Sequence, residues 1–160
     1  MPEIVCNTTP LQYLHQAGVL GILPSLYGRI LIPEAVANEI AVGVAGDVNL
    51  PDLTSLEWIK VREIGGSTWP MPRDIHRGEA EVIALAGSLE DSVMILDDLA
   101  ARRHARLLGL RFTGTLGVLL KAKQSEILES VLPVVSCLEE LGFRLAPNTR
   151  QEFLTLAGEA

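Results

Sequence analysis

Acidic side chains recur along this chain at places where they could share one piece of chemistry. Asp97 and Asp98 follow the apolar run Val93-Met94-Ile95-Leu96. Glu39 lies within "PEAVANEIAV", and Glu79 and Glu81 open "GEAEVIALAGSLE". Carboxylate oxygens suit Mg²⁺ or Mn²⁺, and unpaired carboxylates do not crowd together without a cation. Paired metals held by such acids activate water and stabilise a leaving oxygen, which is what hydrolysis of a phosphodiester requires. Asn7 has a comparable position, just after Ile4-Val5-Cys6, but it carries an amide where this layout often carries an aspartate.

Each acid also has a plainer use. Asp97 or Asp98 could cap the helix that follows, although one residue suffices for that. Glu34, beside Pro33, complements a helix dipole in its first turn, whereas Glu39 lies too late in the same helix to do so. Glu79 and Glu81 are two residues apart, roughly 200° around a helix, so they cannot face one site together. Periodicity does not choose between them. His76 and His104 have no metal-ligand spacing with each other or with a cysteine, and both read as structural or surface residues.

A basic counterpart follows the aspartate pair. "ARRHAR" sets Arg102 and Arg106 one helical turn apart with Arg103 beside them. Guanidinium groups grip phosphate through forked hydrogen bonds, and a solvated helix face accounts for these arginines equally well. Lys121 and Lys123 read as plain surface, and Trp58 and Trp69 are too few and too separated for a base-stacking platform.

Alternating strands and helices must position these groups. "EIVC", "RILI", "EWIKVREI", "VMIL" and "LRFTG" read as strands, the third at a sheet edge. A helix capped by Thr9-Pro10 stops at Gly18, "PEAVANEIAV" ends at Gly43, and "GEAEVIALAGSLE" is a largely buried helix. A further helix ends near Gly109, Thr115 caps "TLGVLLKAKQ", and the last helices span 125–141, restarted near Pro133, and 147–157. Residues 43–56 and 65–77 read as irregular. Short strands separated by helices imply one three-layer α/β domain over residues 1–160 with a central, mainly parallel sheet. In such sheets ligands sit beyond the carboxyl ends of the strands. Asn7, Asp97-Asp98 and Thr113-Gly114-Thr115 end three of them, and helices carrying Glu39 and Glu79 or Glu81 could lean over the same edge.

Bulk properties narrow the partners. With only 4% aromatic residues the core must be aliphatic. A net charge of −7 gives no bulk attraction for nucleic acid, so phosphate contact requires a local basic patch. Cys6 and Cys137 are isolated, which argues against a disulfide framework or zinc site, and Cys6 inside an apolar strand reads as a small buried hydrophobe. The chain starts without a basic region leading into a long apolar stretch and has no apolar window of membrane-spanning length. The expected location is the cytoplasm, with no membrane partner.

Taken in order, "VCNTTPL", "IPEAVANEI", "RGEAEVIALA", "ILDDLAARRHARLLGLRFTGTLGVLLKAK" and "LGFRLAP" resemble the PIN-like proteins of the DUF3368 group, relatives of the VapC-type toxin nucleases. The likeness runs from about residue 3 to residue 157. It implies a PIN fold and a Mg²⁺- or Mn²⁺-dependent endoribonuclease of toxin type, with RNA as substrate, a cognate antitoxin and a homodimer. Carried over by position, the metal and catalytic acids fall on Asn7, Glu39, Glu79 and Asp98, with Asp97 adjacent. The choice of Glu79 follows the family's acid-alanine helix start. Thr8, Thr9 and Thr115 match small hydroxyl positions near the site, and the phosphate contacts fall to Arg102, Arg103 and Arg106. The departure is Asn7, whose amide oxygen can coordinate a cation without supplying charge. Losing a charge-assisted contact costs about 1.5–3 kcal/mol, roughly 10- to 150-fold. A weak or inactive PIN-like module that binds RNA or protein is therefore the alternative. A phosphoacceptor fold would need an aspartate at the position of Asn7.

Overall fold

Apolar runs of four or so residues, each ended by a polar or helix-starting residue, become five short strands in the computed structural model, which describes residues 1–64 and 71–160. Part of the irregular segment expected over 65–77 therefore lies outside the described residues. The strands are β1 (Glu3–Cys6), β2 (Ile30–Pro33), β3 (Ile59–Arg62), β4 (Ser92–Ile95) and β5 (Arg111–Thr113). They form one sheet in the order β3-β2-β1-β4-β5, and every neighbouring pair is parallel. Among the described residues eight α-helices flank it: α1 (Thr8–Gln16), α2 (Ile22–Tyr27), α3 (Glu34–Ala45), α4 (Arg77–Ser88), α5 (Leu99–Leu107), α6 (Thr115–Gln124), α7 (Leu132–Glu140) and α8 (Pro147–Leu156). The α/β architecture read from the sequence is the one observed.

The central strands are buried along their length because helices cover both faces, so β2 is wholly apolar and wholly buried. The edges differ: β3 is exposed after Ile59, as its alternating sequence implies, and β5 is at best half-buried. Helix α4 lies across β1, β2 and β4 and packs on α3 and α5, while α6 packs on α1, α2, α8 and β5. The core is aliphatic, with Val5, Leu11, Leu31, Ile83, Met94, Ile95 and Leu119 fully enclosed and Phe153 the one buried aromatic among the described residues.

Local chemistry departs from the sequence expectations at several points. Asn7, not Thr9, precedes the first helical residue, and Pro10 falls in the first turn of α1, where a missing N–H leaves nothing unpaired. Helix α2 is unanticipated, being six residues long with Pro24 inside it and too short to show a period. Helix α3 continues past Gly43 to Ala45, and Leu50 folds back onto that glycine, where a Cβ would collide with it. Residues 125–131 are not helical, since Glu126 takes a left-handed φ of 60° and the helix restarts only with Pro133 in the first turn of α7. Lys121 and Lys123 are more than plain surface: Lys121 lies 4.7 Å above the Tyr27 ring, and Lys123 Nζ pairs with Glu159 Oε2 at 2.8 Å. Among the described residues no helix is long and apolar enough to cross a membrane.

Glu159 closes the fold at its far end. Its carboxylate accepts from Lys123, from the Ser130 hydroxyl and from the backbone N–H groups of Val131 and Leu132 at 2.8 and 3.1 Å. A carboxylate at the start of α7 also complements the helix dipole. These contacts, the Lys123 bond foremost, hold the Glu159 carboxyl down to about 2 from an ordinary 4.5. Because the folded value is depressed, the stabilisation is complete above the ordinary carboxylate range and is lost as pH falls through it toward about 2. Glu159→Gln should lower the thermal midpoint at neutral pH by a few degrees and flatten the acid-side loss of stability, both measurable by thermal denaturation followed by circular dichroism across pH.

Candidate functional site

The chain winds outward from β1 through β2 to β3, then returns to lay β4 on the other side of β1. The carboxyl ends of β1 and β4 therefore flank the reversal point of the sheet, where α/β folds open a crevice. Register decides which residues meet there. Cys6 pairs with Ile95, and the Asn7 N–H donates to Ile95 O at 3.1 Å. One strand further, the Leu96 N–H donates to Thr113 O at 2.8 Å, which brings Asp97 beside Gly114 and Thr115.

A cavity of about 970 Å³ occupies this crevice, and Asn7, Thr9, Glu79, Asp97, Asp98 and Arg102 line it. Asn7 is only 4% exposed, yet its side chain does not cap α1 and forms no hydrogen bond to a described residue. The amide atoms of Asn7 are not among the enclosed, unpartnered side-chain atoms, so they stay open to solvent or to whatever fills the cavity. Glu39 lies on the adjoining surface, in a depression shared with Asn38 and Arg77, and takes a hydrogen bond from the Thr8 hydroxyl at 2.5 Å. Gly78 makes room for it, since a Cβ there would collide with Glu39 Oε1.

The two glutamates on α4 separate cleanly. Glu81 is buried and turned away: its Oε1 accepts from the Ala35 N–H at the start of α3, and its Oε2 accepts from Arg77 Nε. Glu79 faces the cavity, with Oε2 accepting from the His76 N–H at 2.9 Å in a reciprocal cap. Burial first, then the charges of Asp98 and Glu39, push the Glu79 carboxyl above its ordinary value, against the lowering effect of the His76 N–H. Glu79 thus feels the charges of Asp98 at the end of β4 and of Glu39 on α3.

The aspartate pair divides its work. Asp98 caps α5 through Oδ2, which accepts from the Ala101 N–H at 2.9 Å. Asp97 spends both oxygens on Thr115, whose N–H donates at 2.8 Å and whose hydroxyl donates at 2.5 Å. Thr115 therefore opens α6 without capping it, and Gly114 holds the cap position. Arg102 completes this corner: its Nε donates to Leu96 O at 2.6 Å, its Nη2 sits 3.8 Å from Asp97 Oδ1, and its guanidinium lies over Phe112. Arg106 also covers Phe112, Arg103 is exposed and does not line the cavity, and His104 stands outside it with Nε2 enclosed and unpartnered among the described residues. Sequence reasoning missed the remaining wall, which is formed by Tyr13, Phe143, Arg144 and Leu145. No spacing rule singles out these residues, which come from two distant segments.

Glu39, Glu79 and Asp98 each keep one carboxylate oxygen free of hydrogen bonds to described residues, and the Asn7 amide lines the cavity with Glu79 and Asp98. These are hard oxygen donors of the kind that suit Mg²⁺ or Mn²⁺. Among the described residues no three His, Cys, Asp or Glu side chains are already gathered closely enough to hold a metal ion. The donor set fits such a cation in kind.

The DUF3368 family model, described as a PIN domain, matches residues 3–159. Comparison with curated proteins gives no match.

A raised carboxyl pKa means that the protonated form stabilises the fold below the ordinary carboxylate range, and that this contribution is lost as pH rises through the raised value. At neutral pH the ionised Glu79 is therefore a net cost to the metal-free protein. Glu79→Gln should raise stability in EDTA at pH 7. Glu81→Ala, which strands the Ala35 N–H, should lower it by about 1–3 kcal/mol. Urea denaturation of the two variants decides this, and equal effects of the same sign would reject the assignment.

Proposed function

This chain belongs to the DUF3368 family of PIN domains, a nuclease fold, and on that premise we propose that it is a Mg²⁺- or Mn²⁺-dependent endoribonuclease of the VapC-type toxin kind. The observation that carries the reading is that Asn7, Glu79 and Asp98 line one cavity at the sheet's reversal point, with Glu39 on the adjoining surface.

Bound in the crevice, divalent cations would supply the charge that activates water and stabilises the leaving oxygen of a phosphodiester. The chain's own residues supply the rest. Glu79, Asp98 and Glu39 offer a free carboxylate oxygen each, and Asn7 offers a neutral carbonyl oxygen. Thr8 fixes the Glu39 carboxylate, and the His76 N–H fixes that of Glu79. Asp97 acts as a strut, tying the end of β4 to the start of α6 through Thr115. Arg102 leans on the same strut and places positive charge at the cavity wall.

The same reading extends to partners. A cognate antitoxin and a second copy of the chain follow from the toxin assignment, and the free thiols Cys6 and Cys137 support a reducing cytoplasm as the setting. A second reading, an RNA-binding module without catalysis, is favoured by the missing charge at Asn7 and by the full commitment of both Asp97 oxygens. RNA binding that persists in EDTA, with no cleavage in any divalent metal, would select it.

Cleavage of a single-stranded RNA should require Mg²⁺ or Mn²⁺ and disappear in Glu39→Gln and in Asp98→Asn, the latter keeping a good helix cap. Asn7→Asp should tighten cation binding by roughly tenfold or more and lower metal-free stability, because it buries a further negative charge. Retained cleavage in both acid variants would reject the assignment.

Gly78→Ala makes a finer test. Alanine favours a helix over glycine by about 0.5–1 kcal/mol, so stability should hold or rise. The added methyl displaces the Glu39 carboxylate, so cation affinity, read by titration calorimetry, should fall.

A further inference from the structure

The proposed cation site occupies only part of its cavity. A water takes up about 30 Å³, whereas the cavity measures about 970 Å³, the upper range of pockets that enclose organic ligands. The wall beyond the acids is of another chemistry. It comprises Tyr13 from α1 and Phe143, Arg144 and Leu145 from the segment joining α7 to α8.

That segment is held in place. Gly142 adopts a φ of 100°, which favours glycine, and the turn is closed by the Phe143 N–H donating to Leu138 O at 2.9 Å. Arg150 Nε on α8 donates to Glu139 Oε1 on α7 at 2.8 Å, tying the two helices across the turn. The Phe143 ring meets that of Tyr13 edge to face, with centroids 5.1 Å apart. Phe112, the other aromatic at the cavity, is already covered by Arg102 and Arg106. The arginines likewise differ. Arg102 is committed to Leu96 O and Asp97, whereas Arg144 is exposed and makes no ion pair or hydrogen bond with a described residue.

An uncommitted guanidinium next to an aromatic pair, lining the same cavity as Glu79, Asp97 and Asp98, is complementary to one nucleotide of a chain. We infer that the α7–α8 segment forms a nucleotide subsite in which Arg144 holds a backbone phosphate neighbouring the cleaved one, and the Tyr13–Phe143 pair receives the base of that nucleotide. This rests on the ribonuclease reading, since the acids alone would repel a phosphate. It specifies unpaired RNA, because a base must leave its stack to reach the aromatic pair.

The test follows the binding of a labelled single-stranded oligoribonucleotide by anisotropy in Ca²⁺, across a range of salt. Arg144→Ala, at an exposed position, should weaken affinity about 5- to 10-fold and reduce the slope of log K against log salt by about 0.7. Phe143→Leu should weaken affinity to a similar extent without changing the slope, roughly as expected for loss of base stacking. Its thermal midpoint is recorded alongside, and Arg144→Ala decides alone if that variant is unstable. Wild-type affinity and slope in Arg144→Ala, from a protein that binds and cleaves RNA, would overturn the subsite and leave the ribonuclease reading intact. Loss of affinity in Arg144→Ala without cleavage in any metal would support Arg144 as a phosphate contact but overturn its place beside a cleaved phosphate, together with the nuclease reading. A wild-type protein that binds no RNA would overturn both.

Discussion

Parallel pairing of β1 with β4 is the constraint on which the site depends. β1 takes β2 on one side and β4 on the other, and the crossovers that leave β1 and β4 travel in opposite directions along the sheet. Right-handed crossovers of that kind part beyond the strand ends and leave a crevice. The hydrogen bonds that continue past the strands, Asn7 N–H to Ile95 O and Leu96 N–H to Thr113 O, line up three chain ends in one row. A slip of one residue in either pairing would turn Asn7 or Asp97 away from the crevice, because successive side chains point to opposite faces.

Within that frame, a half-buried carboxylate with like charges near it is what the structure must manage. Burial first, and then the charges of Asp98 and Glu39, push the Glu79 carboxyl up. The fold limits the cost by giving each acid a backbone or hydroxyl donor on one oxygen: His76 N–H for Glu79, Ala101 N–H for Asp98 and the Thr8 hydroxyl for Glu39. Asn7 fits the same logic. At 4% exposure it is the most enclosed member of the group, and an amide there avoids adding a buried charge to the cavity that Glu79 and Asp98 line. In the proposed cation site the same neutral side chain would offer one charge fewer.

Asp97 shows why neighbouring residues of one type need not share a role. It follows the last enclosed strand residues and meets the α6 N-terminus, so its carboxylate is consumed by Thr115 and braced by Arg102. One residue on, Asp98 begins α5 and keeps an oxygen toward the cavity. Glu79 and Glu81 divide in the same manner, one facing the cavity and the other pinned to the start of α3.

The strand and helix order, the aliphatic core and the placing of Asn7, Asp97 and Asp98 at one sheet edge were legible in the chain, because apolar runs and Pro or Gly breaks act locally and strand ends converge by rule. Helix α2, the non-helical 125–131 stretch and the true role of Thr115 were not, being set by a short segment without a period, a left-handed Glu126 and an acceptor 18 residues away. Glu79 and Glu81 were equivalent by spacing and became distinct only when α3 packed on α4 and claimed one of them. Arg144 and Phe143 lie in "LGFRLAP", one of the stretches that carry the family resemblance, but no role was legible for them, since their meaning comes from lining one cavity with Tyr13 and the acids. Sequence by itself determined which elements form and which acids could meet. Only the tertiary structure decided which oxygens are already spent and which stay free, because that depends on donors brought from distant segments.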